Sequence, residues 1–275
     1  ADTVVMRAPE QRPAADGEEG RLRGFLTSVN LPGWGFILLV AILWQIAVES
    51  GLIAKDVPIS GPIQIIQATV DQVTAGALLP AVWHTLYATL VGWVVASVVG
   101  IAIGVWLGLS PLAWRYSIAS LEAIRAIPGI ALVPLLLLIF GFDVKSEIAL
   151  SALTAVWPVV IFTIAGVQEC SPMRYAASRV LHLGNLETVR KIVLPSAVHS
   201  IVVGLRLGMQ LALALTIVSE AVGNPAGIGY QVINMQSAFN IPALYGYTLC
   251  TGLLGYLLNG ALTWAMRAGL RRADL

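Results

Sequence analysis

The residues most able to take part in binding or chemistry are charged side chains within otherwise apolar stretches: Glu122, Arg125, Arg206 and Glu220. A charged side chain at the centre of a bilayer costs about 2.5–3.5 kcal/mol on insertion scales, so each one needs a partner, water or a solute. Glu122 and Arg125 are three residues apart and can pair on one helix face. This spacing favours a structural ion pair over contact with a solute.

Arg206 and Glu220 cannot pair with each other in one straight helix, because their separation in sequence spans about 21 Å along the helix axis. Arg206 could attract an anionic solute, and an internal partner such as a carbonyl group is an equally good interpretation. Glu220 could serve a gate together with a flexible turn at Gly227 and Gly229. The alternative for Glu220 is an ion pair at the end of its helix.

Catalytic and metal chemistry has no comparable constellation. His84, His182 and His199 do not fall at ligand spacing, and no Ser/His/Asp set shares a predicted helix face. Cys170 and Cys250 stand far apart in apolar segments, as packing residues do. The sequence lacks a Gly-x-x-x-x-Gly-Lys-Ser/Thr loop, so a nucleotide that drives its activity must bind another polypeptide. We therefore expect no catalytic site, metal or cofactor in this chain, and no nucleic-acid partner.

The elements that carry these side chains are suited to a lipid bilayer. Of 275 residues, 57% are hydrophobic and 11% are charged, whereas a soluble domain carries about 25% charged residues. A bilayer core about 30 Å thick needs roughly 20 helical residues to cross it. The apolar runs predict six spans, the third of which should be kinked or partly re-entrant at Pro128 and Pro134. The predicted spans are 33–53, 84–109, 116–141, 147–168, 197–219 and 243–266.

The parts outside the core follow from composition and charge. Residues 1–28 read as a disordered cytoplasmic tail, 29–80 hold the first span, and 81–270 form the core transmembrane domain with a cytoplasmic end at 271–275. Residues 59–76 predict an amphipathic helix near the outer surface, with Ile63, Ile65, Ile66 and Val70 on its apolar side, and a soluble cap is the alternative. Placing both termini in the cytoplasm leaves twelve of the 16 Lys and Arg residues inside and two outside, as cytoplasmic loops retain positive charge.

The polar loop 169–196, between the fourth and fifth spans, is the most unusual part of the core. It contains the small pair Ala176 and Ala177, a break at Gly184 and a closing Leu194-Pro195. Small side chains permit close approach, and a glycine permits a chain reversal that other residues adopt only at a cost. The pattern suits docking into a groove of another protein, and an amphipathic loop resting on headgroups is an equally weighted alternative.

This loop resembles the EAA coupling loop of binding-protein-dependent ABC permeases, in which Glu-Ala-Ala is followed by a glycine and a closing Leu-Pro. Tyr175 stands where the glutamate would precede the alanine pair, and Ser178 takes that position if Gly184 sets the register. The family's acidic contact is therefore absent under either alignment. The resemblance implies contact with an ATPase through Tyr175, Ala176, Ala177, Ser178, Arg179, Gly184, Leu194 and Pro195.

Four further stretches, in order over roughly residues 80–270, resemble the nitrate/sulfonate/taurine permease family. They are Gly92 to Gly108 followed by Leu109-Ser110-Pro111; Ile127-Pro128 with Val133-Pro134 and Phe140-Gly141-Phe142; Trp157-Pro158 through Gly166-Val167; and Ser219-Glu220-Ala221 with Gly227-Ile228-Gly229-Tyr230. The resemblance implies an all-α membrane protein of about six spans with the type I ABC importer permease fold, located in the bacterial inner membrane.

What this resemblance implies about function is a transport subunit rather than an enzyme. It would translocate a small solute, such as a sulfonate, taurine or nitrate anion, delivered by an extracytoplasmic solute-binding protein. It would form a homodimer on two cytoplasmic ATPase subunits, which bind ATP and Mg. The alternative is an ATP-independent secondary carrier or an intramembrane enzyme, which would need neither an ATPase nor a binding protein.

Glycines at four-residue intervals predict close helix packing. Gly100, Gly104 and Gly108 share one face of the second span, and Gly204 and Gly208 repeat this spacing in the fifth. Missing side chains let a neighbouring helix approach closely. Packing within the chain is favoured over a dimer interface, although the spacing alone fits both.

Overall fold

The computed structural model describes residues 31–51 and 58–272. The described residues form helices, turns and connecting loops without a strand, and the chain divides into two compact units at Pro62. The tail predicted at 1–28 and the last three residues of the chain lie outside the described residues.

The first unit contains helix α1, Leu31–Glu49. Its apolar stretch Gly35–Glu49 is shorter than the roughly 20 residues that cross a bilayer. The helix stops because Gly51 adopts a positive φ of 73°, the left-handed conformation with which glycine commonly ends a helix. The span predicted at 33–53 is therefore too long at its C-terminal end.

The boundary between the units falls at the start of α2, Pro62–Thr74, within the amphipathic segment predicted at 59–76. Ile65 is buried, whereas Ile66 and Val70, predicted on the same apolar side, are exposed. The hydroxyl of Tyr247 donates a hydrogen bond to Gln72 Oε1 at 3.1 Å. Both residues belong to the second unit, and this bond links α2 to the last helix of that unit.

The remaining elements follow the predicted order with shifted ends. The helices are α3 (Leu78–Leu109), α4 (Pro111–Arg125), α5 (Val133–Phe140), α6 (Val144–Gln168), α7 (Pro172–Val180), α8 (Asn185–Thr188), α9 (Leu194–Gly223), α10 (Gly227–Ser237) and α11 (Ile241–Arg272). A 3-10 turn at Gly129–Leu132 precedes α5, and a π-helical turn at Val189–Val193 joins α8 to α9.

Four stretches are long and apolar enough to cross a bilayer: α3, α6, the continuous run Asn185–Gly223, and Ile241–Met266 of α11. The helices α4 and α5 form a pair bent by 76°, which is a broken span or a re-entrant loop. The described residues thus hold four spans, or five if the bent pair counts as one, where the sequence predicts six. The predicted interruption is confirmed, because Pro128 adopts an extended conformation at the break and disfavours a helical residue before it.

One helix start and one predicted turn differ from the prediction for clear physical reasons. Helix α3 begins at Leu78 rather than at 84, because Pro80 lies in its first turn, where a proline costs the helix nothing. Helix α10 replaces the flexible turn predicted around Gly227. Its residues Ile228, Val232 and Met235 recur at helical spacing and pack on the core.

Close packing of α6 against α3 and α9 forms the centre of the second unit. A side chain at Gly104 would place its Cβ 2.5 Å from Thr163 Cβ, so only a glycine lets α3 approach α6 this closely. The neighbouring turns of α3 repeat this contact, and two glycines of α9 meet α6 in the same way. All five glycines predicted to serve close packing touch α6: Gly100, Gly104, Gly108, Gly204 and Gly208.

Candidate coupling surface and buried polar cluster

Helix α7 carries a stripe of exposed apolar side chains. Met173 and Val180 are 81% and 78% exposed and lie seven residues apart, with the exposed Ala176 between them, so they share one helix face. Leu181 and Leu186, beyond the helix, are also exposed. We call these five residues the coupling surface. Contiguous exposed apolar side chains mark a surface that contacts another molecule.

The chain reversal after α7 is made by a residue that the sequence did not indicate. His182 adopts a positive φ of 50°, and the Leu183 N–H donates to the Ser178 carbonyl at 3.0 Å, which is the Schellman pattern of a helix end. Gly184 has an ordinary φ of −66°, and a Cβ built there meets nothing within 4 Å. The expectation that Gly184 permits the reversal is therefore wrong.

The start of α9 is linked to α7 by hydrogen bonds. Arg174 donates to Ser196 Oγ, and Ser196 in turn donates to the Ile192 carbonyl at 2.6 Å. Helix α9 and the turns before it run without a break from Asn185 to Gly223. A displacement of α7 would therefore act directly on one long helix of the core.

The closing Leu194-Pro195 lies in the first turn of α9, directly after the π-helical turn. The Leu194 N–H donates to the Val189 carbonyl, five residues earlier. This wider turn accommodates Pro195, whose ring in a regular helix would clash with a carbonyl four residues before it. Tyr175, Ala177, Ser178 and Arg179 lie within α7, and Ser178 is buried. Their predicted contacts with an ATPase stay predictions.

A cavity of about 550 Å³ lies between the broken pair, α6 and α9. Arg125 lines it at the end of α4, together with Thr154 and Trp157 of α6 and Leu211 of α9. Arg125 is the charged member of a lining that is otherwise mostly apolar. The predicted ion pair between Arg125 and Glu122 is not formed in the described part of the chain, where both side chains are exposed.

Arg206 does not line that cavity. Its Nε atom is buried and has no hydrogen-bond partner among the described residues. Attraction of an anionic solute by Arg206 therefore stays a prediction.

Glu220 lies in a buried polar cluster. Its side chain is fully buried, and its Oε2 accepts hydrogen bonds from Thr85 Oγ1 at 3.0 Å and from the Gly229 N–H at 2.8 Å. Thr85 Oγ1 also accepts from the Ile228 N–H at 2.9 Å. These bonds join α3, α9 and the first turn of α10.

The glycines near Glu220 serve close packing. Gly227 adopts a positive φ of 88°, and a Cβ there would lie 2.1 Å from Glu220 Cδ. A Cβ at Gly229 would lie 2.1 Å from the Ile217 carbonyl oxygen. Both glycines are buried and lie in the first turn of α10 rather than in an irregular turn, and their role in a gate with Glu220 stays a prediction. The alternative of an ion pair between Glu220 and a Lys or Arg is not met within the described ranges.

Helix α6 and the residue after α9 complete this cluster. His84 Nε2 of α3 lies 2.9 Å from Glu147 Oε2 of α6, and the Asn224 Nδ2 donates to Glu147 Oε1 and lies 3.3 Å from His84 Nε2. One donor atom from each of His84, Glu147 and Glu220 lies within 4.8 Å of the other two. We call His84, Thr85, Glu147, Glu220 and Asn224 the polar cluster.

Sequence reasoning missed most of this cluster. His84 and Glu147 are 63 residues apart, so no local motif joins them. The signal that could have found them is their position, since each is the first residue of a predicted span and lies inside the helix that forms. Ionisable residues inside membrane helices commonly face one another in the protein interior.

A comparison with known families shows which family the chain belongs to. The profile described as "binding-protein-dependent transport system inner membrane component" matches residues 96–274. The chain belongs to this family. It is a multi-pass permease subunit of an ABC importer in the inner membrane, and a transport component rather than an enzyme.

Related permeases cover most of the chain. A Bacillus subtilis protein, provisionally named as the aliphatic sulfonates transport permease SsuC, is 27% identical over 87% of this chain and 85% of its own length. The nitrate import permease NrtB of Leptolyngbya laminosa is 27% identical over 82% of this chain and 81% of its own. The formylaminopyrimidine transport permease ThiX of Halalkalibacterium halodurans is 25% identical over 81% and 88%.

Solved structures support the same fold. An inward facing structure of the MetNI methionine ABC transporter matches the permease with a TM-score of 0.63 and 22% identity, over 70% of this chain and 95% of that one. An amino acid ABC transporter matches with a TM-score of 0.58 and 18% identity, over 74% and 98%. The predicted type I importer permease fold is thereby confirmed.

Proposed function

We propose that the permease translocates a small anion, such as a sulfonate, taurine or nitrate, delivered by an extracytoplasmic solute-binding protein. The names of two similar permeases support an anionic solute, since one is assigned to aliphatic sulfonates and one to nitrate. Arg125 in the wall of the 550 Å³ cavity offers a positive charge for such a solute. A neutral pyrimidine is the second candidate, because ThiX carries formylaminopyrimidine in its name.

The coupling surface is the observation on which the mechanism rests. In this proposal two cytoplasmic ATPase subunits, which bind ATP and Mg, each receive α7 of one copy of a permease homodimer. Met173, Ala176 and Val180 enter a groove of the ATPase as an amphipathic helix does, with anchors at helical spacing. No acidic side chain stands in the motif, so apolar burial takes the place of the family's acidic contact.

In this proposal a displacement of α7 is transmitted through α9 to the cavity of about 550 Å³. Closure of the ATPases on ATP displaces α7, and the link from Arg174 to Ser196 carries the displacement into α9. Leu211 and Leu215 of α9 line the cavity, so tilting α9 changes the width of that cavity. Alternation between two such arrangements, biased by the nucleotide, moves solute in one direction.

Replacement of Met173 with Asp tests the coupling surface. We expect at least a tenfold loss of co-purified ATPase, because a carboxylate would be desolvated in an apolar groove. Phe239→Asp is the matched control, since Phe239 is 86% exposed but follows α10, and it should retain the ATPase. Equal retention of the ATPase by the Met173 variant and the control would contradict the proposed docking.

Transport in liposomes tests the solute. The permease with its ATPase and binding protein should take up a radiolabelled sulfonate or nitrate only when ATP is enclosed. Uptake of a pyrimidine instead would favour the second candidate. Uptake by the permease alone without ATP would favour a secondary carrier and overturn the proposal.

A further inference from the structure

The polar cluster contains two acidic side chains and one basic side chain. Glu147 and Glu220 are both fully buried carboxylates, and His84, with 23% of its side chain exposed, is the nitrogen base that touches one of them. One histidine can neutralise at most one of the two carboxylates. A buried charge without a partner is strongly unfavourable, and more so inside a membrane protein.

A second observation points to an additional positive ligand. Glu220 Oε1 is buried and has no hydrogen-bond partner among the described residues, although Oε2 of the same carboxylate has two. The hydroxyls of Thr89 and Thr216 are likewise buried and unpartnered. Thr216 lies one helical turn from Glu220, and Thr89 lies one turn from Thr85, so both lie on the helix faces that carry the cluster.

We propose that His84, Glu147 and Glu220 bind one divalent transition-metal cation of the zinc class. An imidazole nitrogen and two carboxylate oxygens are ligands that zinc accepts at about 2.0–2.2 Å. A neutral histidine, two carboxylates and one dication sum to zero charge, which removes the imbalance. Donor atoms around a tetrahedral ion lie roughly 3.4 Å apart, so donors already within 4.8 Å reach it by small side-chain rotations.

The residues around the three ligands suit this role. Thr85 Oγ1 and the Gly229 N–H hold Glu220 Oε2 in place, which leaves Oε1 as the free donor atom. Asn224 contacts both Glu147 and His84, as outer partners that orient metal ligands do. The cation would join α3, α6 and α9 at one point.

This site is separate from the coupling surface and does not rest on the proposed function. Pro195 and Glu220 lie near opposite ends of α9, about 37 Å apart along the helix axis at 1.5 Å per residue. A bound cation would hold three core helices together at one end, whereas α7 acts on the other end. Metal binding should therefore be measurable in the absence of ATPase, binding protein and solute.

Zinc binding to the purified full-length chain tests the inference. After treatment with a chelator and desalting, the chain is incubated with ZnCl2 alone. Bound zinc is then measured by inductively coupled plasma mass spectrometry. We expect about one zinc per chain and a higher midpoint of thermal unfolding. Glu220→Gln should weaken zinc binding at least tenfold, whereas Asp71→Asn, which removes an exposed carboxylate of α2, should leave it unchanged.

The absorption spectrum of bound cobalt distinguishes the loss of a metal ligand from misfolding of the variant. Co²⁺ in place of zinc gives visible absorption bands that depend on its ligands, and His84→Asn should shift or abolish them while Glu220→Asp retains them in part. Absence of saturable zinc binding by the unaltered chain would overturn the proposal. Equal binding by the unaltered chain and Glu220→Gln would overturn it as well, and neither result depends on whether a variant folds poorly.

Discussion

The coupling surface and the polar cluster are opposite in almost every physical respect. The surface comes from one short segment of the sequence and is apolar and exposed, with Met173 81% accessible. The cluster comes from three distant helices, is charged, and buries Glu147 and Glu220 completely. A surface that lies within one short segment can be recognised from residues near one another in the sequence, whereas a buried cluster exists only once the helices have packed.

The two regions also differ in how much change they can tolerate. Gly184 near the surface has open space around it, whereas Gly227 beside the cluster has Glu220 within 2.1 Å of the position of a Cβ. A substitution near the surface should alter partner binding and leave the fold intact. A substitution at the cluster should alter the fold first, and these two expectations can be tested separately.

The largest effect is expected from Gly227→Val at the cluster. The added side chain meets the Glu220 carboxylate, and valine disfavours the φ of 88° at this position. We expect a loss of about 3 kcal/mol or more in the free energy of unfolding, since overpacking and backbone strain add together. Thermal unfolding of the purified permease in detergent measures it.

Gly260→Val is the matched control for this change. Gly260 lies in α11, and a Cβ built there meets nothing within 4 Å. Its effect on unfolding should stay within about 1 kcal/mol, the cost or gain of one helical substitution. If both variants unfold at the same temperature, the tight packing at the cluster is not what stabilises this end of the core.

The next largest effect is expected from Gly184→Trp at the surface. Because a side chain there points into open space, the purified permease should unfold at an unchanged temperature. ATP-driven uptake should fall at least tenfold, because the indole would obstruct seating of α7 and the following loop in the ATPase. The measurement is uptake into liposomes alongside thermal unfolding.

Gly252→Trp controls for bulk in this experiment. Gly252 also has open space around it, but it lies in α11, and uptake should be retained. A Gly184→Trp variant with full uptake would remove the loop from the coupling mechanism. A variant that unfolds early would mean that Gly184 serves the fold instead.

This contrast explains what the sequence could predict. Apolar runs locate the helices because the requirement to cross a bilayer is length and hydrophobicity alone, and the proline break at Pro128 follows from local sterics. His84 and Glu147 are the first residues of two predicted spans, at 84–109 and 147–168. Only the pairing of α3 with α6, set by the glycine contacts such as Gly104 on Thr163, brings them together.

The position of the reversal after α7 was predicted wrongly for a related reason. Glycine is the usual residue in a left-handed conformation, so Gly184 was the natural candidate, and a histidine with a φ of 50° is uncommon. The bond from the Leu183 N–H to the Ser178 carbonyl holds His182 in that conformation. Local propensity alone could not place the reversal two residues earlier.

His182→Gly, beside the coupling surface, should produce the smallest effect. Glycine adopts a positive φ without the steric cost that histidine carries, which is roughly 1–2 kcal/mol in the left-handed region. The greater freedom of glycine in the unfolded chain offsets part of this gain. The variant should therefore be more stable by up to about 1 kcal/mol in thermal unfolding, with uptake and ATPase retention unchanged.

His182→Val should lower stability instead, because a β-branched side chain is still less suited to this conformation. If His182→Gly is destabilised or loses its ATPase, the histidine side chain itself contributes to the coupling surface, and the surface then depends on more than apolar contact.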